Sequence, residues 1–123
     1  MSEELGLKYV HAIAEQNFEL IQNLFTEGII ITVATPAKTW HAIGWLETEK
    51  VLREFFPQEE KVSEVVSVNN YPMTGRSRIS YVFRGHENNF GLFEYEHQAY
   101  YQIDGNMISH MRTLCSGLYN PKG

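Results

Sequence analysis

The second half of the chain contains a long segment in which apolar and polar residues alternate. From Phe93 to Ile103 the odd positions are apolar apart from one histidine, and the even positions are mostly charged or amide side chains. A repeat of two predicts a strand that buries one of its faces. Asp104-Gly105 follows at once, and an Asp-Gly pair predicts a tight hairpin that returns along residues 107–115. The chain must therefore fold around an antiparallel sheet.

The remaining sequence predicts helices first and strands afterwards. Apolar residues at helical spacing indicate a helix in the first 14 residues, a short second helix capped by Asn17 and stopped at Gly28, and a third over residues 42–56, closed by Pro57. Further strands are predicted over residues 29–33, 62–68 and 77–83 because they are rich in β-branched or alternating residues. This order predicts the α+β class, with the helices packed on one face of the sheet.

Composition narrows the classes of protein that this chain can represent. Its 123 residues suit one domain, 1–123, in which residues 116–123 are expected to form a C-terminal tail. A formal charge of −5 disfavours nucleic acid or an anionic membrane as partner, since those surfaces attract clustered Lys and Arg. No apolar run is long enough to span a membrane. The single cysteine, Cys115, cannot form an internal disulfide, so we expect a cytoplasmic protein.

Three stretches of the sequence resemble the nuclear transport factor 2-like superfamily, which includes ketosteroid isomerase and the SnoaL-like polyketide cyclases. They are residues 18–25 with the strand that follows, residues 40–56, and the hairpin 101–112. The resemblance implies a cone-shaped, curved antiparallel sheet whose concave face holds three N-terminal helices. It also implies an apolar funnel open at one end, and a homodimer formed through the outer sheet face.

The catalytic carboxylates of that superfamily do not carry over to this chain. Ketosteroid isomerase has a general-base aspartate just before a proline at the end of its first strand, where this sequence reads Ala34-Thr35-Pro36. The cyclases place an aspartate on the last strand, at a position that corresponds here to Thr113 or Arg112. The resemblance therefore implies the cavity without a known catalytic set.

His97 is the strongest candidate for a catalytic residue. It has the parity of the apolar positions on its strand, which should face the funnel, and an imidazole there can act as an acid or base. Tyr81, Tyr95 and Tyr101 share the inward parity and offer hydroxyl groups to a ligand. The alternative for His97 is a hydrogen-bonded core histidine, and for the tyrosines cross-strand packing.

Trp40, Met111 and Cys115 complete the predicted ligand-binding set. Trp40 lies where the chain of the superfamily passes the cavity mouth. If Ile108 is the hairpin isoleucine, Met111 and Cys115 point inward, and His110 and Arg112 point outward; a register based on Met107 reverses this. We favour the first register, although both faces of the strand are of mixed polarity.

The predicted function is a small-molecule-binding domain of the SnoaL-like kind. The reaction that such a domain could catalyse is a cofactor-independent lyase or isomerase reaction. We expect no metal, because no two histidines are spaced i, i+4 and no His-Glu-x-x-His motif is present. No cofactor is expected either. The expected ligand is small and apolar or polycyclic, and the expected partner is a second copy of the chain. The rival hypothesis is a non-catalytic dimerisation or protein-interaction module on the same fold.

Overall fold

The structure is a computed structural model that describes the backbone of residues 2–121 and the side chains of residues 4–121. It contains three helices and six strands within that range. In chain order they are α1 (Ser2–Ala14), α2 (Phe18–Leu24), β1 (Phe25–Ala34), β2 (Thr39–Ile43), α3 (Trp45–Phe55), β3 (Lys61–Met73), β4 (Arg76–Glu87), β5 (Gly91–Asp104) and β6 (Met107–Cys115). None of the helices in the described range is long and apolar enough to cross a membrane.

The six strands form one sheet in the order β2-β1-β6-β5-β4-β3. Every neighbouring pair is antiparallel except β1 and β6, which run parallel. The helices cover one face of this sheet, where the apolar core lies. The predicted α+β class, with three helices on the concave face of a curved sheet, is confirmed, and the sheet is mostly rather than wholly antiparallel.

The predicted helix over residues 42–56 is wrong in its first part. Residues 39–43 form β2, which pairs with β1, and the helix begins only at Trp45. Gly44 separates the two elements with a φ of +82°, a left-handed value that glycine adopts at little cost. The helical spacing of the apolar residues concealed a strand rich in aromatic and β-branched side chains.

The first strand is longer than predicted. It begins at Phe25 instead of residue 29, so α2 ends at Leu24 and Gly28 lies within the strand rather than stopping the helix. The predicted cap of α2 is confirmed, because Oδ1 of Asn17 accepts a hydrogen bond from the backbone N–H of Leu20 at 3.1 Å.

A bulge sets the register of the last strand. Gln102 pairs with His110 and Ile103 pairs with Ile108, which leaves Ser109 as an extra residue. Ile108 and Met111 are both buried as a result, whereas His110 and Arg112 are exposed. The structure therefore agrees with the register in which Met111 faces inward and Arg112 faces outward.

The C-terminal segment packs against the sheet as far as it is described. Residues 116–121 follow β6, and the backbones of Tyr119 and Glu94 exchange two hydrogen bonds of 2.8 and 3.0 Å. The Tyr119 hydroxyl also donates to the Glu94 carboxylate. This part of the expected tail is thus held against β5; the last two residues of the predicted tail lie outside the described range.

Candidate functional site

A cavity of about 380 Å³ opens between the sheet and the segments at its edge. The turn between β1 and β2, the C-terminal end of α3, the loop before β3, strand β5 and the C-terminal segment each contribute to its wall. Most of the wall is apolar. Its lining residues are Thr35, Pro36, Ala37, Trp40, Glu54, Phe55, Glu60, Tyr95, His97, Cys115, Gly117 and Leu118.

The turn that forms one side of the mouth is held by a threonine. The hydroxyl oxygen of Thr35 accepts a hydrogen bond from the Lys38 backbone N–H at 3.0 Å, and the Thr35 N–H donates to the Lys38 carbonyl at 2.8 Å. These bonds close the turn around Pro36. Across the mouth Gly117 comes so close that a Cβ there would lie 3.4 Å from Cγ of Pro36.

His97 is the buried polar group of the cavity. Its side chain is on the inward face of β5, and the residue is 1% exposed. Nδ1 lies 3.0 Å from the hydroxyl oxygen of Tyr81, its direct cross-strand partner on β4. Among the described residues, Nε2 has no hydrogen-bond partner. The predicted inward parity of β5 is therefore confirmed, and one ring nitrogen remains for a ligand.

Aromatic rings surround the His97 imidazole. The Phe55 ring stacks on it with a centroid distance of 5.0 Å and an angle of 15°, and Tyr95 lies 4.7 Å away. The rings of Phe56, Tyr81 and Phe83 complete the set. Burial among these rings lowers the pKa of His97 to about 3, because the charged imidazolium loses its hydration. His97 is therefore neutral at physiological pH and is a weak base.

The tyrosines around the site remain protonated. Burial raises the pKa of Tyr81 well above its ordinary value, and it does the same for Tyr9 and Tyr95. Tyr9 on α1 interacts with the hydroxyl of Tyr81, which extends the polar chain from His97 to the first helix. These phenols can donate or accept hydrogen bonds, but they do not supply a charge.

Two carboxylates at the cavity were missed by the sequence analysis. Glu54, on α3, accepts a hydrogen bond from Nε1 of Trp40 at 3.2 Å and lies 3.6 Å from Nζ of Lys38. Glu60, in the loop before β3, has a pKa raised to about 7, first because it is partly buried and then because Glu87 and Glu59 repel its charge. The sequence signal was the acidic pair that follows Pro57 at the end of a helix.

The Glu60 backbone is hydrogen-bonded to Gln16, in the turn after α1. Nε2 of Gln16 donates hydrogen bonds to the carbonyl oxygens of Pro57 and Glu60, at 3.0 and 2.9 Å. Gln16 has a φ of +56°, which is uncommon for a residue with a side chain. The turn after α1 thus fixes the loop that carries the carboxylate into the cavity wall.

Four of the predicted site residues come together at this cavity. His97 and Tyr95 line it from β5, Trp40 from β2 and Cys115 from the end of β6. Burial raises the pKa of the Cys115 thiol, and the nearby charge of Glu60 raises it further, although a hydrogen bond from the Gly117 N–H to Sγ opposes this. The thiol therefore stays protonated, which does not suit a nucleophile.

Three predicted residues do not line the cavity. Tyr81 lies behind His97 and orients its ring. Tyr101 is buried farther along β5, where its hydroxyl accepts a hydrogen bond from Nδ2 of Asn70 at 3.2 Å and a Cβ on Gly6 would lie only 2.5 Å from it. Met111 is buried beneath a separate groove of about 520 Å³ on the outer sheet face. Inward parity predicted their burial correctly but not their distance along the sheet.

His110 and Arg112 line the outer groove, together with Arg76 and Tyr100. Within residues 2–121 no cluster of three or more His, Cys, Asp or Glu side chains is arranged to hold a metal ion.

Comparison with known proteins identifies the fold. No protein-family model matches the sequence, and no curated protein matches it. Among solved structures, a Bacillus subtilis protein described as a provisional isomerase has a TM-score of 0.80 at 12% identity, covering 94% of this chain and 86% of its own. A Catenulispora acidiphila protein with a ketosteroid isomerase-like fold, solved with trimethylamine, has a TM-score of 0.75 at 17% identity, covering 94% and 88%.

A third structure extends the range of described activities. A Xanthomonas campestris protein provisionally described as a polyketide cyclase has a TM-score of 0.69 at 14% identity, covering 98% of this chain and 91% of that one. The chain therefore has the nuclear transport factor 2-like fold, also called ketosteroid isomerase-like or cystatin-like. At these identities the likeness shows the fold alone.

Proposed function

We propose that this chain binds a small molecule in the cavity beneath β5, with the free nitrogen of His97 as its polar anchor. The observation that carries the proposal is the combination of a preformed cavity of about 380 Å³ with the imidazole of His97 in its wall, of which only Nδ1 has a hydrogen-bond partner among the described residues. Ligand cavities are typically of roughly 300–1,000 Å³ and mostly apolar, with a few placed polar groups. Nε2 is thus left to exchange a hydrogen bond with a ligand in the cavity.

The likeness to solved structures supports a binding role without selecting a reaction. The Catenulispora acidiphila protein was solved with trimethylamine, and the other two were provisionally described as an isomerase and a polyketide cyclase. An acid–base reaction in this cavity would use Glu60 for proton transfer rather than His97. With a pKa of about 7 Glu60 can both give and take a proton near neutral pH, whereas His97 is neutral with a pKa of about 3.

The same cluster of aromatic rings supports the rival function, an interaction module that binds no ligand. The rings of Phe56, Tyr81 and Phe83 fill the space behind His97, so the protein's own side chains occupy the deep end of the cone. The cavity that remains lies nearer the mouth, between Trp40, Tyr95 and Leu118. Because several hundred Å³ remain unfilled, we favour the binding function.

A panel of small aromatic and aliphatic alcohols, ketones and amines tests this proposal by nuclear magnetic resonance. We expect bound compounds to shift the backbone signals of Tyr95, His97 and Cys115, and to compete with one another for a single site. Shifts confined to the outer groove around Arg112, or no binding across the panel, would favour the interaction module instead.

The outer sheet face is also proposed as the surface of a homodimer. Leu114 is 46% exposed there, and Tyr100 and Arg112 lie beside it on the neighbouring positions of β5 and β6. Exposed apolar side chains on a sheet face favour association with a second copy of the same face.

We also propose a cytoplasmic location, with which the free Cys115 thiol is consistent.

A further inference from the structure

We infer that the ligand of this cavity is an organic ammonium ion, a positively charged amine with an apolar body, held by the carboxylate of Glu60 and the aromatic wall. The inference rests on the proposed function and names the chemical class of its ligand. The aromatic wall is defined here as Trp40, Phe55 and Tyr95, which line the same cavity as Glu60.

The charged side chains that line the cavity favour a ligand of positive charge. Its two charged side chains are both carboxylates, Glu54 and Glu60, and the described lining contains neither Lys nor Arg. His97 is neutral and adds no positive charge. Lys38 pairs with Glu54, but nothing among the described residues pairs with Glu60, so an anionic ligand would be repelled by the ionised Glu60 carboxylate and a cation would be attracted.

Glu60 is the carboxylate that lacks a partner. Among the described residues its side chain takes part in no ion pair and no hydrogen bond; only its backbone is bonded, to Gln16 and Pro57. Glu60 lines the same cavity as Tyr95 and Cys115, and its charge raises the pKa of both. A cation at this point would give Glu60 the partner that the protein does not provide.

The protein already holds one ammonium group in the same way at the cavity mouth. Nζ of Lys38 lies 4.9 Å from the centre of the Trp40 ring and 3.6 Å from the carboxylate of Glu54. An aromatic face and a carboxylate together attract an ammonium group through the ring quadrupole and through charge. Glu60, Tyr95 and Phe55 bring a carboxylate and aromatic rings to the lining of the same cavity, and this described lining contains no lysine.

The experiment compares choline with its neutral carbon isostere, in which a tert-butyl group replaces the trimethylammonium group. The two have almost the same shape, so their relative affinity isolates the contribution of the charge. At about pH 8, where Glu60 is ionised, we expect choline to bind the full chain roughly tenfold more tightly than the isostere. Titration followed by nuclear magnetic resonance measures both dissociation constants.

Two variants test whether Glu60 is the carboxylate that recognises the charge of choline. Glu60→Gln should reduce the preference for choline to less than about threefold while leaving the affinity for the isostere unchanged. Glu96→Gln is the matched control, because it removes the same charge from an exposed side chain on β5 next to His97, outside the cavity lining. It should preserve the full preference.

A second test needs no variant and so does not depend on whether a variant folds. It measures the affinity of the unmodified protein for choline at several pH values. The affinity for choline should rise several-fold between about pH 6 and pH 8, as Glu60 loses its proton, because only the ionised carboxylate attracts the cation. The affinity for the isostere should stay constant. The titratable groups that act on or with Glu60 from the surrounding elements are Glu59, Glu87, Tyr95 and Cys115.

The outcomes separate this inference from the proposed function. If the isostere shifts the signals of His97 and Cys115 and binds as tightly as choline, the ammonium inference is wrong and the binding function stands. If Glu60→Gln and Glu96→Gln retain the same preference, Glu60 is not the recognising group and the inference is likewise wrong. If neither probe binds, the inference is overturned, and the wider compound panel decides the binding function.

Discussion

The Tyr81 hydroxyl oxygen and Nδ1 of His97 are 3.0 Å apart, across the ladder in which these two residues are directly paired. This bond selects which edge of the packed imidazole ring faces Tyr81. The bond occupies Nδ1, and the imidazole stays neutral, so no charge is placed in the core. On the proposed function, Nε2 is the nitrogen that meets the ligand.

His97→Phe should weaken ligand binding while preserving the fold. The substitution retains an aromatic ring among its neighbours but removes the nitrogen that faces the cavity. We expect about a tenfold loss of affinity for choline or its neutral isostere, which corresponds to one hydrogen bond of roughly 1.4 kcal/mol. Titration followed by nuclear magnetic resonance measures the change.

The control for this variant is His86→Phe, which makes the same change at an exposed position on β4. It should bind both probes as the unmodified protein does. An unchanged affinity for His97→Phe would remove His97 from the binding site. Unfolding of that variant in the absence of any ligand would assign the histidine to the core.

The dependence of stability on pH should also report the burial of His97. The pKa of His97 is lowered to about 3 in the folded state, whereas an unfolded histidine titrates near 6.5. The unfolded chain therefore binds a proton at this residue before the folded protein does. Its contribution to stability is fully present above about pH 6.5 and is lost as the pH falls toward the folded pKa.

Denaturant unfolding at several pH values measures this contribution. Below about pH 6 the free energy of unfolding should fall more steeply in the unmodified protein than in His97→Phe, by roughly 1.4 kcal/mol per pH unit. Other groups contribute equally to both proteins and cancel in the difference. Parallel curves would indicate that the imidazole is hydrated in the folded state.

The sequence predicted the elements whose pattern is local and regular. The alternation along β5 gave the inward position of His97 and Tyr95, and the Asp-Gly pair gave the hairpin. The site was predicted only in part, because a pocket depends on which positions of separate elements meet. Tyr101 has the parity of His97 but lies four residues away along β5, and Glu60 belongs to a loop whose place is set by Gln16 on another element. β2 was missed because its last two residues, Ala42 and Ile43, also fit the helical pattern of the segment that follows.

Gly105→Val should destabilise the protein through the hairpin between β5 and β6. Gly105 has a φ of +65° in a two-residue turn between Asp104 and Met107, and a β-branched residue resists a positive φ. We expect a loss of at least about 1 kcal/mol in the free energy of unfolding. The measurement is urea denaturation.

Gly28→Val provides the comparison, since Gly28 lies in β1 without a positive φ and a Cβ there would meet nothing within 4 Å. It should unfold close to the midpoint of the unmodified protein. Equal midpoints for Gly105→Val and the unmodified protein would contradict the turn geometry.

The proposed homodimer should depend on the outer sheet face. Leu114→Lys places a charge on the most exposed apolar side chain of β6 without touching the core, so two copies would meet at like charges. Sedimentation at micromolar concentration should give a dimer for the unmodified chain and a monomer for the variant. A monomer for the unmodified chain would remove the proposed interface.

Glu60 should give a pH dependence opposite in sign to that of His97. Its pKa is raised to about 7 in the folded protein, above the ordinary value for glutamate, so the folded state binds the proton more tightly than the unfolded chain. The stability gained in this way is fully present below the unfolded pKa and is lost as the pH rises through about 7.

Glu60→Gln removes the charge and should therefore be more stable than the unmodified protein at about pH 8, and similar to it near pH 4. Because the carboxylate is partly open to water, which screens its repulsion by Glu87 and Glu59, we expect a gain of only about 1 kcal/mol. Denaturant unfolding of both proteins at the two pH values measures the gain, with Glu96→Gln as the exposed control. A loss of stability at pH 8 would show that the ionised carboxylate already has a favourable partner in the folded protein.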